Sequence, residues 1–514
     1  MKSKLIIVVL LITFILASCA PAAKVVPIET AVPISSFTPV PLTPTITLTP
    51  SPENIANAKD LPIWVSNYVQ ALGGIVAIDG AQMDEIQLLN EIKNNPESFI
   101  QAKIGKNQVG YKLLVINNTP LAVMGSDNKW RAILLRDMAE ANNQVISSPV
   151  WDELIDPSDP HYPKYTELLK QVNLLTITAD LNISVVFNDF SMQDWKEILS
   201  NWDEIKSQLD SGVIPDKYPY NWKPAEKIYE FAAKNNMAVR AQHLLDGNDF
   251  TEAIKNGGFT KDELMKILEF ETSVKVLKFK GQTYSWNVAD EMVLTEINKA
   301  GNGDYGFWNR ELNLDEAVLL IAKTVKKHDP KALTVITENF VLEKTFREAE
   351  PDHREQFFMF LKRMKEANTP IDCVELENNW WIYTMSEKEF MLEVHQKILD
   401  MGFCIAAPET TVFVSDYYPV WWIQPDKKKI TDTPIVEQTK AYRTVAEVYT
   451  ELPTMGMGLG EIWDKTSWLN FVTGNGNFDE PSDTYASVFN VDGKPKPAYY
   501  AILEVLYSAA FKSQ

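Results

Sequence analysis

The chain has 514 residues, of which 45% are hydrophobic, and a formal net charge of −20. That is enough apolar material for one large core and a smaller one, and it lacks the basic footprint that nucleic acid requires. So acidic a protein also repels polyanions, which leaves a neutral partner as the best fit.

The first four residues, Met1-Lys2-Ser3-Lys4, are a basic leader, and the apolar run from Leu5 to Leu16 is short for a membrane span. Leu16-Ala17-Ser18-Cys19 follows and resembles a bacterial lipobox. The expectation is a signal peptide over 1–19, a lipid on Cys19 and a cell-surface, extracytoplasmic location. An ordinary secretory signal cut nearby is the alternative. Residues 20–54 are rich in Pro, Thr and Ser. Proline withholds backbone donors and favours extended chain, so this tract reads as a disordered tether between membrane and globular body. The remaining cysteines, Cys373 and Cys404, are too few for a disulfide framework, and the body is expected to be undisulfided.

Residues 55–129 read as a small α+β domain. A helix near Met83 to Lys93 precedes two strands, "YKLLVIN" and "LAVMG", with a turn at Asn118-Thr119-Pro120. No catalytic signature lies there. From 130 to 514 short apolar runs alternate with amphipathic segments. The runs are 143–150, 173–180, 237–245, 284–291, 332–339, 371–378, 404–413 and 456–464; "PAEKIYEFAAKNN", "LDEAVLLIAKTVKKH" and "HREQFFMFLKRMKEA" are among the helices between them. Eight βα repeats predict an α/β fold of the (β/α)8 TIM-barrel type, with the site at the C-terminal strand ends. A doubly wound sheet is the second choice.

Carboxylates gather at those ends. The fourth run, "YSWNVADE", finishes in Asp290 and Glu291, and the seventh carries Glu409. Glu338, Glu375, Glu377 and Glu461 lie on the fifth, sixth and eighth; they are expected to be solvated or paired rim acids. Two carboxylates from different strands can cleave a glycosidic bond, one as proton donor and one meeting the developing positive charge.

At these residues the chain resembles glycoside hydrolase family 10, the β-1,4-xylanases. "SWNVADE" is similar to the family's W-D-V-V-N-E, "IAAPETTV" to I-T-E-L-D-V, and "TPIDCVELENN" to v-P-I-D-G-I-G-x-Q-x-H. "DKTSWL" and "VFNVDGKPKPAYYAIL" follow the C-terminal D-K-x-S-W and L-F-D-x-D-x-K-P-K-P-A-Y. The resemblance covers about 130–506. It implies a retaining mechanism with Glu291 as acid/base and Glu409 as nucleophile, acting on xylan or another β-1,4-linked polysaccharide.

The chain departs from the family around the sugar. Asp290 replaces the Asn before the acid/base, and Thr411 the Asp after the nucleophile. Thr178-Ala179-Asp180-Leu181-Asn182 replaces E-N-x-M-K, and Asp246-Gly247-Asn248 replaces W-H-S-Q. Glu377-Asn378-Asn379 replaces Q-x-H, removing the His that orients the nucleophile. Gly460 replaces a Trp, while Asp464 and Trp468 persist. Crowded acids are expected to raise pKa values around both catalytic positions. A barrel that binds glycan without cutting it is the alternative function.

Asp290, Glu377 and Trp468 are candidate substrate contacts. So are Trp380 and Trp381 after strand six, and Tyr417 and Trp421 after strand seven, all expected on loops above the site. His243 is expected to be a satisfied core histidine. No zinc spacing or phosphate loop is present, so neither metal nor cofactor is expected. The protein is read as a monomer.

Overall fold

The computed structural model describes residues 55–294, 306–343, 352–414, 433–467, 469 and 485–511. Cys19, Tyr417, Trp421 and Trp468 lie outside the described residues, as does the tether.

In the N-terminal part, the helix Glu85–Asn94 starts where Asp84 and Gln87 exchange side-chain and backbone hydrogen bonds of 2.9 Å, a reciprocal cap of the first turn. A short antiparallel pair, β1 (Val76–Ile78) and β2 (Ala81–Met83), precedes it. A four-stranded antiparallel sheet follows, in the order β3 (Ile100–Ile104), β4 (Gly110–Ile116), β5 (Thr119–Met124) and β6 (Trp130–Ala132). The β4–β5 turn is Asn117-Asn118, with φ of 48° and 62°. Two successive positive φ values match the tight hairpin turn that Asn tolerates. The turn therefore lies before Thr119 and Pro120, which belong to the strand, and Pro120 is accommodated beside a register shift at Leu114/Val115. β6 carries this sheet beyond the expected boundary at 129.

The N-terminal sheet and the barrel lie in one compact unit. Their contact is aromatic. Tyr68 meets Tyr500 edge-on at 5.2 Å, and Tyr507 Oη donates to Gln101 Oε1 at 2.6 Å, both from the C-terminal helix Pro497–Phe511.

Eight parallel strands form the barrel: β7 (Val145–Val150), β8 (Leu174–Ile177), β9 (Ala238–Ala241), β10 (Ser285–Asp290), β11 (Leu333–Glu338), β12 (Cys373–Leu376), then β14 (Cys404–Ala406) and β16 (Gly456–Gly458). β16 pairs with β7, and a parallel bridge from Ile405 to Thr454 brings the other edge alongside. Met455 N–H completes that contact to the Ile405 carbonyl at 3.0 Å. The edges of the sheet meet, which excludes the doubly wound alternative. Closure needs glycine: a Cβ on Gly458 would lie 1.9 Å from the Pro408 carbonyl oxygen.

Run seven divides in two, and a second strand follows run six where a loop was expected. β13 (Asn378–Trp381) and β15 (Thr410–Phe413) leave the barrel sheet and pair with each other in parallel, Asn378 opposite Thr410 and Trp381 opposite Phe413. Trp380 and Trp381 therefore sit in a strand, 1% and 2% exposed, rather than on a loop above the site. This corrects their expected place. Large apolar rings on a two-stranded ribbon lower the free energy more by packing beneath it than by facing water.

Cys373 and Cys404 also differ from expectation. They are register partners on β12 and β14 and form a disulfide, with Cα atoms 4.3 Å apart. A cysteine count cannot reveal that two residues distant in sequence are neighbours across a sheet.

Candidate active site

β10 delivers the first acid. Its pairing with β11 slips between Asn287 and Ala289, and Asn287 Nδ2 donates to Asp290 Oδ1 at 2.5 Å. Glu291 then adopts φ +48° while its N–H donates to the Thr337 carbonyl at 3.0 Å. A bulky residue in the left-handed region is uncommon and is held there by its surroundings. The holding group is Glu338, which accepts the N–H of Val293 at 3.1 Å and of Leu294 at 3.2 Å and faces His353 Nε2 at 3.3 Å. Asn339 Nδ2 donates to Glu291 Oε1 at 2.8 Å.

The second acid, Glu409, lies between β14 and β15. Asn379 Nδ2 donates to its Oε1 at 2.7 Å and to Glu377 Oε2 at 2.9 Å. The loss of the family's His thus does not leave the Glu409 carboxylate without a donor. Asn379, at that His position, reaches it because β13 and β15 run side by side.

Electrostatics separates these acids. Burial pushes Glu291 up to about 8, and Asp290 adds to the rise while the Asn339 amide opposes it. Burial likewise pushes Glu409 up to about 7 against the Asn379 bond, with Asp290 raising it and Arg240 and His243 lowering it. Glu377 is driven well above the usual range by burial, then by Glu409, Glu291 and Asp290. The expected crowding is present, since Asp290 raises both Glu291 and Glu409, while Asp290 itself is shifted the other way. Burial would raise it, but His243, Arg240 and the Asn287 amide outweigh that and hold it below its ordinary value.

His243 is the residue whose role the sequence concealed. It is half-buried at the end of β9 rather than in the core, with Nε2 3.2 Å from Asp290 Oδ2 and Nδ1 3.2 Å from Asn182 Oδ1. Burial would lower its pKa, yet Asp290 and Asp246 raise it to about 9. Two acceptors, one at each ring nitrogen, suit an imidazolium that donates from both. His243, Asp246 and Asp290 could geometrically gather around a cation, each offering an atom within 4.8 Å of the others.

The remaining acids are not solvated. Glu375 is 2% exposed and accepts from Arg240 Nε at 2.8 Å and Thr337 Oγ1 at 3.0 Å. Glu461, 3% exposed, accepts from Trp151 Nε1 at 2.8 Å and is pushed by burial to about 8. Glu338 is 1% exposed. Each is buried with partners, as burial of a carboxylate requires, so the paired half of the expectation holds and the solvated half does not. Among the candidate contacts, Asp290 and Glu377 line the same cluster, Trp380 and Trp381 are buried in β13, and Tyr417, Trp421 and Trp468 are outside the described residues.

A family model for glycosyl hydrolase family 10 matches residues 177–505. The chain belongs to that family. Endo-1,4-beta-xylanase B of Thermotoga neapolitana is 24% identical to this family 10 chain over 363 residues, covering 66% of it and 92% of the relative. Endo-1,4-beta-xylanase C of Paenibacillus barcinonensis is 22% identical over 71% of the chain and 31% of its own length. Among solved structures, xylanase 10B of Thermotoga petrophila RKU-1, in complex with xylobiose, superposes with a TM-score of 0.57 at 22% identity, covering 73% of this chain and 98% of that one. The family 10 barrel is thus a divergent member of a glycosidase family, with the family's fold and an altered set of residues around its two glutamates.

Proposed function

We propose that this family 10 protein hydrolyses a β-1,4-linked polysaccharide such as xylan with retention of configuration, Glu291 serving as acid/base and Glu409 as nucleophile. The observation that carries the reading is the pair itself. Two half-buried carboxylates from different strand ends are each held by one asparagine amide, at 2.8 and 2.7 Å, and burial raises the proton affinity of both. In the first step ionised Glu409 attacks the anomeric carbon while Glu291 gives its proton to the departing oxygen. In the second, Glu291 takes a proton from water, which cleaves the glycosyl ester. The names of the relatives support xylan as the substrate class.

Asp290, ion-paired to His243 beside Glu291, presents a charged acceptor where a neutral Asn stands in the family motif, and this suits a hydroxyl-rich ring. A lipid on Cys19 would hold the barrel at the outer surface of the cell, where a polysaccharide too large to enter is met. The Cys373–Cys404 disulfide supports that location, because disulfides persist in oxidising compartments.

Reducing-sugar release from xylan and a panel of β-glucans tests this reading. Wild type is expected to release sugar, and Glu291→Gln and Glu409→Gln each to lose at least about 100-fold. Retardation on a xylan affinity gel with no release would replace the enzyme with the glycan-binding alternative.

A further inference from the structure

One nitrogen touches two acids in this site, and only one of those acids has been given a role. We propose that Asn379 and Glu377 are positioning residues for Glu409: the Asn379 amide clamps the two carboxyl groups together, and Glu377 occupies the clamp as a neutral acid so that Glu409 is the member that carries charge. The inference rests on the functional reading above and adds to it a pair of residues that act through the nucleophile.

The geometry comes first. Asn379 Nδ2 lies 2.7 Å from Glu409 Oε1 and 2.9 Å from Glu377 Oε2. An amide NH2 has two protons and can serve two acceptors, one with each. Asn379 Oδ1 is buried and has no hydrogen-bond partner among the described residues, so within them the two acids aim the amide. Asn379 and Glu377 belong to one short segment, and β13 fixes that segment against β15; Asn378 N–H donates to the Glu409 carbonyl at 3.0 Å. The amide, the nucleophile and the third acid are therefore rigidly connected through backbone.

Two acceptors of one nitrogen stand within about 6 Å of each other, and two ionised carboxylates at that distance in a partly buried site repel strongly. One must keep its proton. The charges around them decide which. Asp290 and Glu291 at the end of β10 act on Glu377 together with Glu409, against one favourable contribution from Arg240 of β9. Glu409 faces Asp290 but has both Arg240 and His243 in its favour, along with the shorter bond to the amide. Glu461, beyond β16, is itself within electrostatic reach of Glu409 and is pushed towards neutrality. A protonated Glu377 has one donor and one acceptor on a planar head, like a carboxamide, and no longer competes for the cation side of the site.

The full chain can be tested in two ways that do not depend on each other. Infrared difference spectra of wild type against Glu377→Gln, recorded at pH 7 without substrate, are expected to lose a protonated-carboxyl band. Retention of every such band would overturn the proposal, because Glu377 would then be ionised. In turnover, Glu377→Ala is expected to lower kcat by about 10–100-fold with KM little changed, and Glu377→Gln to recover most of that loss. Asn379→Ala is expected to lower kcat and to move the acidic limb of the pH profile upward, since it removes a donor to ionised Glu409. An Asn379→Ala profile that loses height without moving would reduce Asn379 to a structural residue and overturn the clamp. If wild type cuts no glycan, the functional reading fails, and the infrared result still decides the state of Glu377.

Discussion

At the scale of single residues, the pH profile follows from two neighbouring environments. The proposed mechanism needs Glu409 ionised and Glu291 protonated. Burial pushes the first to about 7 and the second to about 8, so kcat/KM should rise with pH through about 7 and fall through about 8. Asn339 donates to Glu291 Oε1 and so favours its charged form; Asn339→Ala should raise the Glu291 pKa and shift the alkaline limb upward. A full pH–rate profile of both proteins checks this, and an alkaline limb left in place by the substitution would remove Glu291 as the acid. The two glutamates were legible from their place at strand ends and from the motifs around them. Their asparagine partners were not. Asn339 and Asn379 are common polar residues, and only the fold brings their amides within 3 Å of a carboxylate.

At the scale of elements, the eight runs were legible because apolar stretches alternate with helical periodicity; the first six strands fall within a few residues of their expected limits, while the seventh and eighth stop at Ala406 and Gly458, well short of the expected 413 and 464. What periodicity could not show was the division of run seven and the extra strand after run six. β12 and β13 are separated by Glu377 alone, and the polar Glu377-Asn378-Asn379 stretch reads as a loop, with no mark of a change of hydrogen-bonding partner. That change turns Trp380 and Trp381 inward and lays Asn379 against Glu409. β16 shows the converse. Its Gly-Met-Gly sequence reads as a weak strand, yet the closing strand of the barrel must approach its neighbours more closely than a side chain allows. A Cβ at Gly458 would also meet the Pro408 carbonyl carbon at 2.5 Å, and backbone cannot rotate away. Gly458→Ala should therefore destabilise the protein by about 1–3 kcal/mol, read as a lowered denaturation midpoint with an unchanged m-value.

At the scale of the whole molecule, the buried carboxylates link stability to pH. Glu291 and Glu461 at about 8, and Glu409 and Glu271 at about 7, hold protons that an unfolded glutamate loses near pH ~4.3. The folded state thus binds more protons than the unfolded state between those limits. Stability then falls as pH rises, and the contribution is complete below the unfolded value and lost on passing the folded ones. His243, raised to about 9, acts in the same direction. Asp290, lowered by its partners, acts oppositely only below the ordinary aspartate range. Calorimetry from pH 5 to pH 8.5 should find a falling Tm, with the enzyme most active where it is not most stable. A Tm constant over that range would mean that these groups are ionised in the folded protein.

The sequence by itself determined the periodicity that makes a barrel, the strand-end positions of the two proposed catalytic acids, and an acidic balance unsuited to nucleic acid, because each depends on local pattern or simple count. Only the tertiary structure decided which groups surround those acids. His243 became an imidazolium through Asp290, Asn379 became a donor to Glu409, and Cys373 met Cys404 across two strands. The reason is physical: proton affinity, hydrogen bonding and disulfide formation depend on distances of a few ångströms between residues far apart in the chain, and those distances exist only after the sheet has closed.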